Sequence, residues 1–169
     1  IINAGEENRK LKDLVRSRSL SALPVGGRYR TVDFMLSNMV NAGIKNVGLL
    51  TRRNYDSLLS HVNSGKDWGL NKKRGFLKKA KEKYVLLGRS YVICNADFQD
   101  MLDKHIKSGA DITLMYFDNS DDSTNCDYDG VYLKTDEDDK VLDMCYSEGK
   151  HRSNKKSMDA YIMKTTLLI

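Results

Sequence analysis

The sequence predicts an α/β fold carrying a mostly parallel sheet. Short strand-type runs alternate with stretches whose apolar residues recur at helical spacing. That alternation is the pattern of right-handed βαβ units. A glycine closes each helical stretch, at Gly43, Gly65 and Gly109, where a left-handed residue ends a helix at low steric cost. The run NVGLL at Asn46–Leu50 is short and apolar, as a strand buried on both faces requires.

Taken in order, Ile1–Ala4 reads as the end of a first strand and Gly5–Gly27 as a long loop. Pro24 is the chain's only proline and stands beside the Gly26-Gly27 pair, which marks a fixed, backbone-exposing turn. Arg28-Tyr29-Arg30 follow. A basic loop feeding a helix N-terminus is an expected seat for phosphate, because free N–H groups and the helix dipole favour anions. Thr31 is placed to cap that helix. Val32, Met35, Leu36, Met39 and Val40 form its apolar stripe.

Tyr55, Leu58, Leu59 and Val62 give a second helical stripe. Tyr84–Leu87 and Val92–Cys94 read as strands. Met101, Leu102, His105 and Ile106 line a third helix, in which His105 is a core histidine. Asp111–Phe117 is a strand, and Val131–Lys134 with Val141–Tyr146 form a hairpin around an acidic turn. Tyr161–Met163 is a last strand.

At 169 residues the chain is expected to be one domain with a real core. No apolar run approaches the roughly 20 residues of a membrane span, and no leader peptide is visible. The chain starts without Met inside a strand-like run, so the true N-terminus is expected to lie upstream. Cys94, Cys126 and Cys145 are far apart and have no ligand spacing with His61, His105 or His151. They read as structural or incidental cysteines of a reducing cytoplasm.

The net charge of +5 is unevenly spread. Lys66–Lys83 holds eight basic and two acidic residues, whereas Asp118–Asp139 holds nine acidic residues and only Lys134. The first run admits a nucleic-acid-binding module. Only Trp68 and Phe76 accompany it as non-tyrosine aromatics, however, so a base-stacking platform is poorly supported.

Ala22-Leu23-Pro24-Val25-Gly26-Gly27-Arg28-Tyr29-Arg30, then Asp33-Phe34, Leu36-Ser37-Asn38, Asn41 and Gly43, resemble a signature of bacterial glucose-1-phosphate adenylyltransferase, or ADP-glucose pyrophosphorylase. The resemblance continues through Ile44–Leu59 and from Tyr84 to Leu168. It implies a Rossmann-like, doubly wound nucleotidyltransferase domain over residues 1–169. It also implies incompleteness. The family carries a further loop between Gly75 and Phe76, and a left-handed β-helix domain beyond Ile169.

In that family a sugar-phosphate oxygen attacks the α-phosphorus of ATP. A glycine-rich loop, basic side chains and carboxylate-held Mg²⁺ balance the charge. The resemblance implies that several of these parts are altered here. The loop reads Asn3-Ala4-Gly5-Glu6-Glu7-Asn8-Arg9-Lys10-Leu11, in which Gly5 remains, Glu6 and Glu7 intrude, and Lys10 replaces an arginine. Leu20 stands at a phosphate-facing lysine, and Tyr91 at the first metal aspartate. Asp97 keeps a second aspartate, read as structural. The sugar-site glutamate and lysine have no match after Met144. Gly130 and Ser157 remain as residual sugar-phosphate positions.

No metal site and no Mg²⁺ are therefore expected to be retained. The pattern resembles the family's regulatory D-type subunit in glycogen biosynthesis. That resemblance implies a cytoplasmic, catalytically impaired protein whose partner is a catalytic subunit in an oligomer, with ATP and sugar phosphate as weak ligands. An active sugar-phosphate nucleotidyltransferase is the alternative.

Overall fold

The computed structural model describes residues 1–5, 9–63, 65–70, 82–120, 129–147 and 153–168. In chain order its strands and helices are β1 (Ile2–Asn3), β2 (Pro24–Val25), β3 (Tyr29–Arg30), α1 (Thr31–Asn41), β4 (Leu49–Leu50), α2 (Asp56–Val62), β5 (Tyr84–Arg89), α3 (Phe98–Ser108), β6 (Ile112–Asp118), β7 (Gly130–Thr135), β8 (Val141–Ser147) and β9 (Lys155–Lys164). They fall into two compact units. One comprises Ile1–Thr113 with Tyr161–Ile169, the other Leu114–Ala160.

In the first unit β1 lies between β4 and β5 and is parallel to both, with Ile2 opposite Leu49 and Gly88. Parallel strands need a crossover, and α1 supplies the one between β1 and β4. Its stripe behaves as the spacing demands: Val32, Met35, Leu36 and Met39 are buried with Ile2 and Leu58. A Cβ on Gly88 would lie 2.9 Å from Met35 Cε, so glycine in β5 lets the helix side chain rest on the sheet. Gly43, at φ 74°, ends the turn after α1 as expected.

The cap of α1 is a correction. Thr31 sits inside the first turn and donates its hydroxyl to the Leu20 carbonyl at 2.8 Å. Asp33 does the capping, with Oδ2 accepting the Arg30 N–H at 2.9 Å. The Thr31 N–H donates to the Leu23 carbonyl. The Asp33 carboxylate thus takes one donor, the Arg30 N–H, at the helix end where phosphate was expected. The other Asp33 oxygen lies 2.7 Å from His61 Nε2 on α2, and Arg30 reaches the Ser57 carbonyl and hydroxyl.

Asp97 caps α3 by accepting the N–H groups of Gln99 and Asp100, in agreement with its structural reading. His105 on α3 is buried. Its Nδ1 lies 2.7 Å from Thr113 Oγ1, and burial pushes its pKa down, as does nearby Lys164. Ile106 and Leu59, assigned to apolar stripes, are about half exposed.

Two strand assignments contract. Asn46–Leu50 pairs only through Leu49 and Leu50, and Val92–Cys94 forms no strand. The Cys94 carbonyl instead accepts the Asn38 side-chain amide at 2.9 Å.

In the second unit β7 pairs antiparallel with β8, and with β9 through Tyr132–Lys156 and Leu133–Lys155. The predicted hairpin is therefore present, and the last strand is longer than Tyr161–Met163. Asp136 Oδ1 builds the turn by accepting the N–H groups of Asp138 and Lys140. Asp139, at φ 59°, accepts from Tyr116 and Lys155. These two hydrogen bonds hold its carboxyl below its ordinary pKa.

Candidate functional site

In an open α/β sheet, ligands bind outside the carboxyl ends of the parallel strands. Here those ends lead from β1 into Ala4-Gly5, from β4 into Thr51-Arg52-Arg53, and from β5 into Ser90-Tyr91. Backbone bonds draw them together: the Ala4 N–H donates to the Leu50 carbonyl at 2.8 Å, and the Ser90 N–H to the Asn3 carbonyl at 3.1 Å. Gly5 lies against the loop after β4, where an added Cβ would stand 3.3 Å from Arg52 Cβ. Its N–H donates to Asn3 Oδ1.

The segment Leu20–Ala22 forms a short 3-10 turn beneath this edge. Ser21 Oγ lies 2.5 Å from Ser90 Oγ, and both residues are fully buried. Asn54 extends the tie, with its carbonyl accepting the Ser19 N–H and its amide reaching the Val15 and Arg16 carbonyls. Ser19 Oγ is buried and has no hydrogen-bond partner among the described residues.

Leu20 and Tyr91 stand where the family resemblance implies a phosphate-facing lysine and a metal-binding aspartate. Leu20 is 7% exposed, so its side chain belongs to the core rather than to the edge. Tyr91 is half-buried. Its phenolic oxygen accepts the Arg89 guanidinium N–H at 2.6 Å, and Arg89 Cζ stands 5.8 Å from the same ring. A neutral oxygen already bonded to a guanidinium does not fit a divalent cation. Among the described residues no group of three or more His, Cys, Asp or Glu is placed to share a metal ion. Glu6, Glu7, Asn8 and the Lys10 side chain lie outside the described residues, as do Cys126, His151 and most of the basic run.

Gly130 and Ser157 both belong to the second unit. A Cβ on Gly130 would stand 2.6 Å from Lys156 Cε and 3.3 Å from its Nζ, so the lysine stem lies across the glycine. Burial lowers the Lys156 pKa, while Asp159 and Asp129 pull it back up. Ser157 is buried, and its hydroxyl accepts the Asp159 N–H at 3.1 Å. Both residues thus contribute to local packing.

Among the described residues the edge of the first unit is basic, with Arg16, Arg18, Arg52 and Arg53 exposed. It suits contact with anions. Sequence reasoning missed Arg52, Arg89 and the Ser21–Ser90 pair. The Arg52-Arg53 dipeptide directly after a strand-type run was the available signal for the first. The serine pair joins residues 69 apart and has no periodic signature.

Comparison with known proteins agrees with this geometry. The nucleotidyl transferase family model matches residues 1–145. The chain is 33% identical over 142 residues to the glycogen biosynthesis protein GlgD of Geobacillus stearothermophilus, covering 67% of this chain and 41% of that protein. It is 28% identical over 197 aligned positions to the glucose-1-phosphate adenylyltransferase of Clostridium novyi (strain NT), covering 99% of this chain and 51% of that one. That alignment is longer than the chain, so this relative carries residues with no counterpart here. The chain spans about half the length of these curated relatives, or less.

A crystal structure from Bacillus anthracis, described as a glucose-1-phosphate thymidylyltransferase in complex with a sucrose, superposes with a TM-score of 0.77 at 13% identity. It covers 98% of this chain and 71% of that one. The likeness establishes an α/β, Rossmann-like nucleotidyltransferase fold. Together with the family match, it shows that this chain belongs to the nucleotidyl transferase family.

Proposed function

We propose that this chain is the nucleotidyltransferase-like part of a regulatory, catalytically impaired subunit of glucose-1-phosphate adenylyltransferase in cytoplasmic glycogen biosynthesis. The Arg89–Tyr91 pair carries the reading. At the end of β5, where the family resemblance implies a metal-binding carboxylate, a phenol accepts a guanidinium N–H at 2.6 Å. The relative named GlgD supports the same assignment. Leu20, buried where the resemblance implies a phosphate-facing lysine, removes a second charge from the edge.

On this reading ATP and glucose 1-phosphate are weak ligands, and the retained scaffold serves contact with a catalytic partner. Regulation then requires that the subunit interact differently with the partner's active and inactive states. A coupling of about 1–3 kcal/mol shifts apparent affinity by roughly 5–150-fold. The test co-expresses the full-length protein with the host's catalytic adenylyltransferase. It then compares partner kinetics with and without the subunit. The expected result is a mixed oligomer with altered substrate saturation. Absence of a mixed oligomer together with unchanged kinetics overturns the proposal, as does ordinary turnover by the isolated protein.

A further inference from the structure

Strand β8 ends the strand order in the second unit and, among the described residues, pairs with β7 alone. Its outer edge can be read from its hydrogen bonds. The Leu133 carbonyl, opposite Met144, accepts the Ser153 hydroxyl from the β9 side. The Met144 N–H donates to its own neighbour, Asp143 Oδ1, at 2.9 Å. Residues 133 and 144 are therefore a non-hydrogen-bonded pair, and the backbone groups of Met144 and Tyr146 face outward. Cys145 Sγ lies 3.5 Å from the Tyr146 carbonyl, a weak contact within the same strand.

Natural edge strands are blunted by charged side chains, lysine above all, by proline or by bulges, and here the one charge, Asp143, stands at the end of the regular segment Asp143–Ser147. The register shift between Lys134 and Thr135 leaves Leu142 as the extra residue of a bulge, and this disrupts the start of β8. Asp143–Ser147 keeps a regular register and contains neither lysine nor proline. Within it Met144 is 46% and Tyr146 64% exposed, and they alternate onto one face.

We propose that Asp143–Ser147 is an interface between two copies of this chain, paired antiparallel about a two-fold axis at Cys145. The register is self-complementary. Met144 opposes Tyr146 of the second copy, a thioether–aromatic pair. Asp143 opposes Ser147, so no like charges meet. The outward backbone groups of Met144 and Tyr146 then form hydrogen-bonded pairs, and Asp143 gives up the Met144 N–H to reach the opposing serine side. Shifting the axis to residue 144 would set the bulged Leu142 against Tyr146, which leaves Cys145 as the favoured centre. A non-hydrogen-bonded pair holds its Cα atoms about 4.5 Å apart, within the range a disulfide spans. Cys145 is exposed and free.

The proposal is independent of the function assigned above. The experiment uses the whole chain with Cys94→Ser and Cys126→Ser. Sedimentation velocity over a micromolar-to-millimolar loading series is expected to show a monomer–dimer equilibrium. A copper–phenanthroline oxidant is expected to cross-link the dimer through Cys145, by loss of two thiol hydrogens to the oxidant. Met144→Lys with Tyr146→Lys, verified as folded by circular dichroism, is expected to abolish both signals. A monomer at every loading overturns the proposal. So does cross-linking that persists unchanged in the double lysine variant, which identifies random collision.

Discussion

Ser21 and Ser90 face each other across 2.5 Å with both hydroxyls out of water. One stands in the turn Leu20–Ala22 and the other directly follows β5, so this hydrogen bond joins the Ser21 contact to the Ala4 carbonyl and the Asn54 bonds in tying the long first loop to the carboxyl edge of the sheet. Removing Ser21 leaves the Ser90 hydroxyl buried without this bond, which costs about 1–3 kcal/mol, whereas Ser21 keeps the Ala4 carbonyl at 3.5 Å when Ser90 is removed. Ser21→Ala is expected to lower the urea midpoint accordingly. Because losing both hydroxyls orphans neither, Ser21→Ala with Ser90→Ala is expected to cost less than the sum of the single changes. Strict additivity in denaturation curves would show that the pair carries no coupling.

Much of the first unit was legible because its signals are local. The α1 stripe and the Gly43 stop both state their role within a few residues, and Val32, Met35, Leu36 and Met39 are indeed buried. What escaped depends on partners distant in sequence. Val92–Cys94 has strand composition, but the Asn38 amide takes the Cys94 carbonyl. Thr31 has cap chemistry, yet Leu20 takes its hydroxyl and leaves the cap to Asp33. At the candidate site, the sequence showed a tyrosine where the resemblance implies an aspartate, at Tyr91, whereas its bond from Arg89 was not legible. Helical spacing likewise did not reveal that Leu59 and Ile106 remain about half exposed.

His105 gives a pH prediction. Burial lowers its folded-state pKa below the ordinary value of 6.5, so the unfolded chain binds more protons near that pH. The neutral imidazole's contribution is fully present above about pH 6.5. It is lost as pH falls through that value toward the folded pKa. Urea midpoints measured from pH 7.5 to 5 are expected to fall more steeply for the natural chain than for His105→Gln. Parallel slopes would show that this histidine does not titrate differently on folding.

Gly130 tests the second unit. A methyl group there would meet Lys156 Cε at 2.6 Å, and its φ of 159° is one L-residues rarely adopt. Gly130→Ala is expected to cost about 1–3 kcal/mol, chiefly for the sparsely populated backbone conformation, because the flexible end of Lys156 can swing aside. Lys156→Ala removes the clash but leaves the backbone conformation unchanged, so it is expected to restore only part of the loss. Full restoration in thermal melts would assign the whole cost to the lysine stem. No restoration would assign it to the backbone.

Leu20 separates a lost charge from a merely displaced one. The family resemblance implies a phosphate-facing lysine at this position, whereas here the side chain is 7% exposed beneath the Thr31–Leu20 hydrogen bond. An ammonium placed there without a partner loses its hydration, and an uncompensated buried charge costs about 3–5 kcal/mol. Leu20→Lys is therefore expected to destabilise the chain strongly, whereas Leu20→Met, which conserves volume, is expected to cost less than about 1.5 kcal/mol. The two denaturation midpoints decide the matter. A well-tolerated lysine would mean that residue 20 reaches the edge after all. Calorimetric titration of that variant with ATP would then show whether restoring this one cation recovers nucleotide binding.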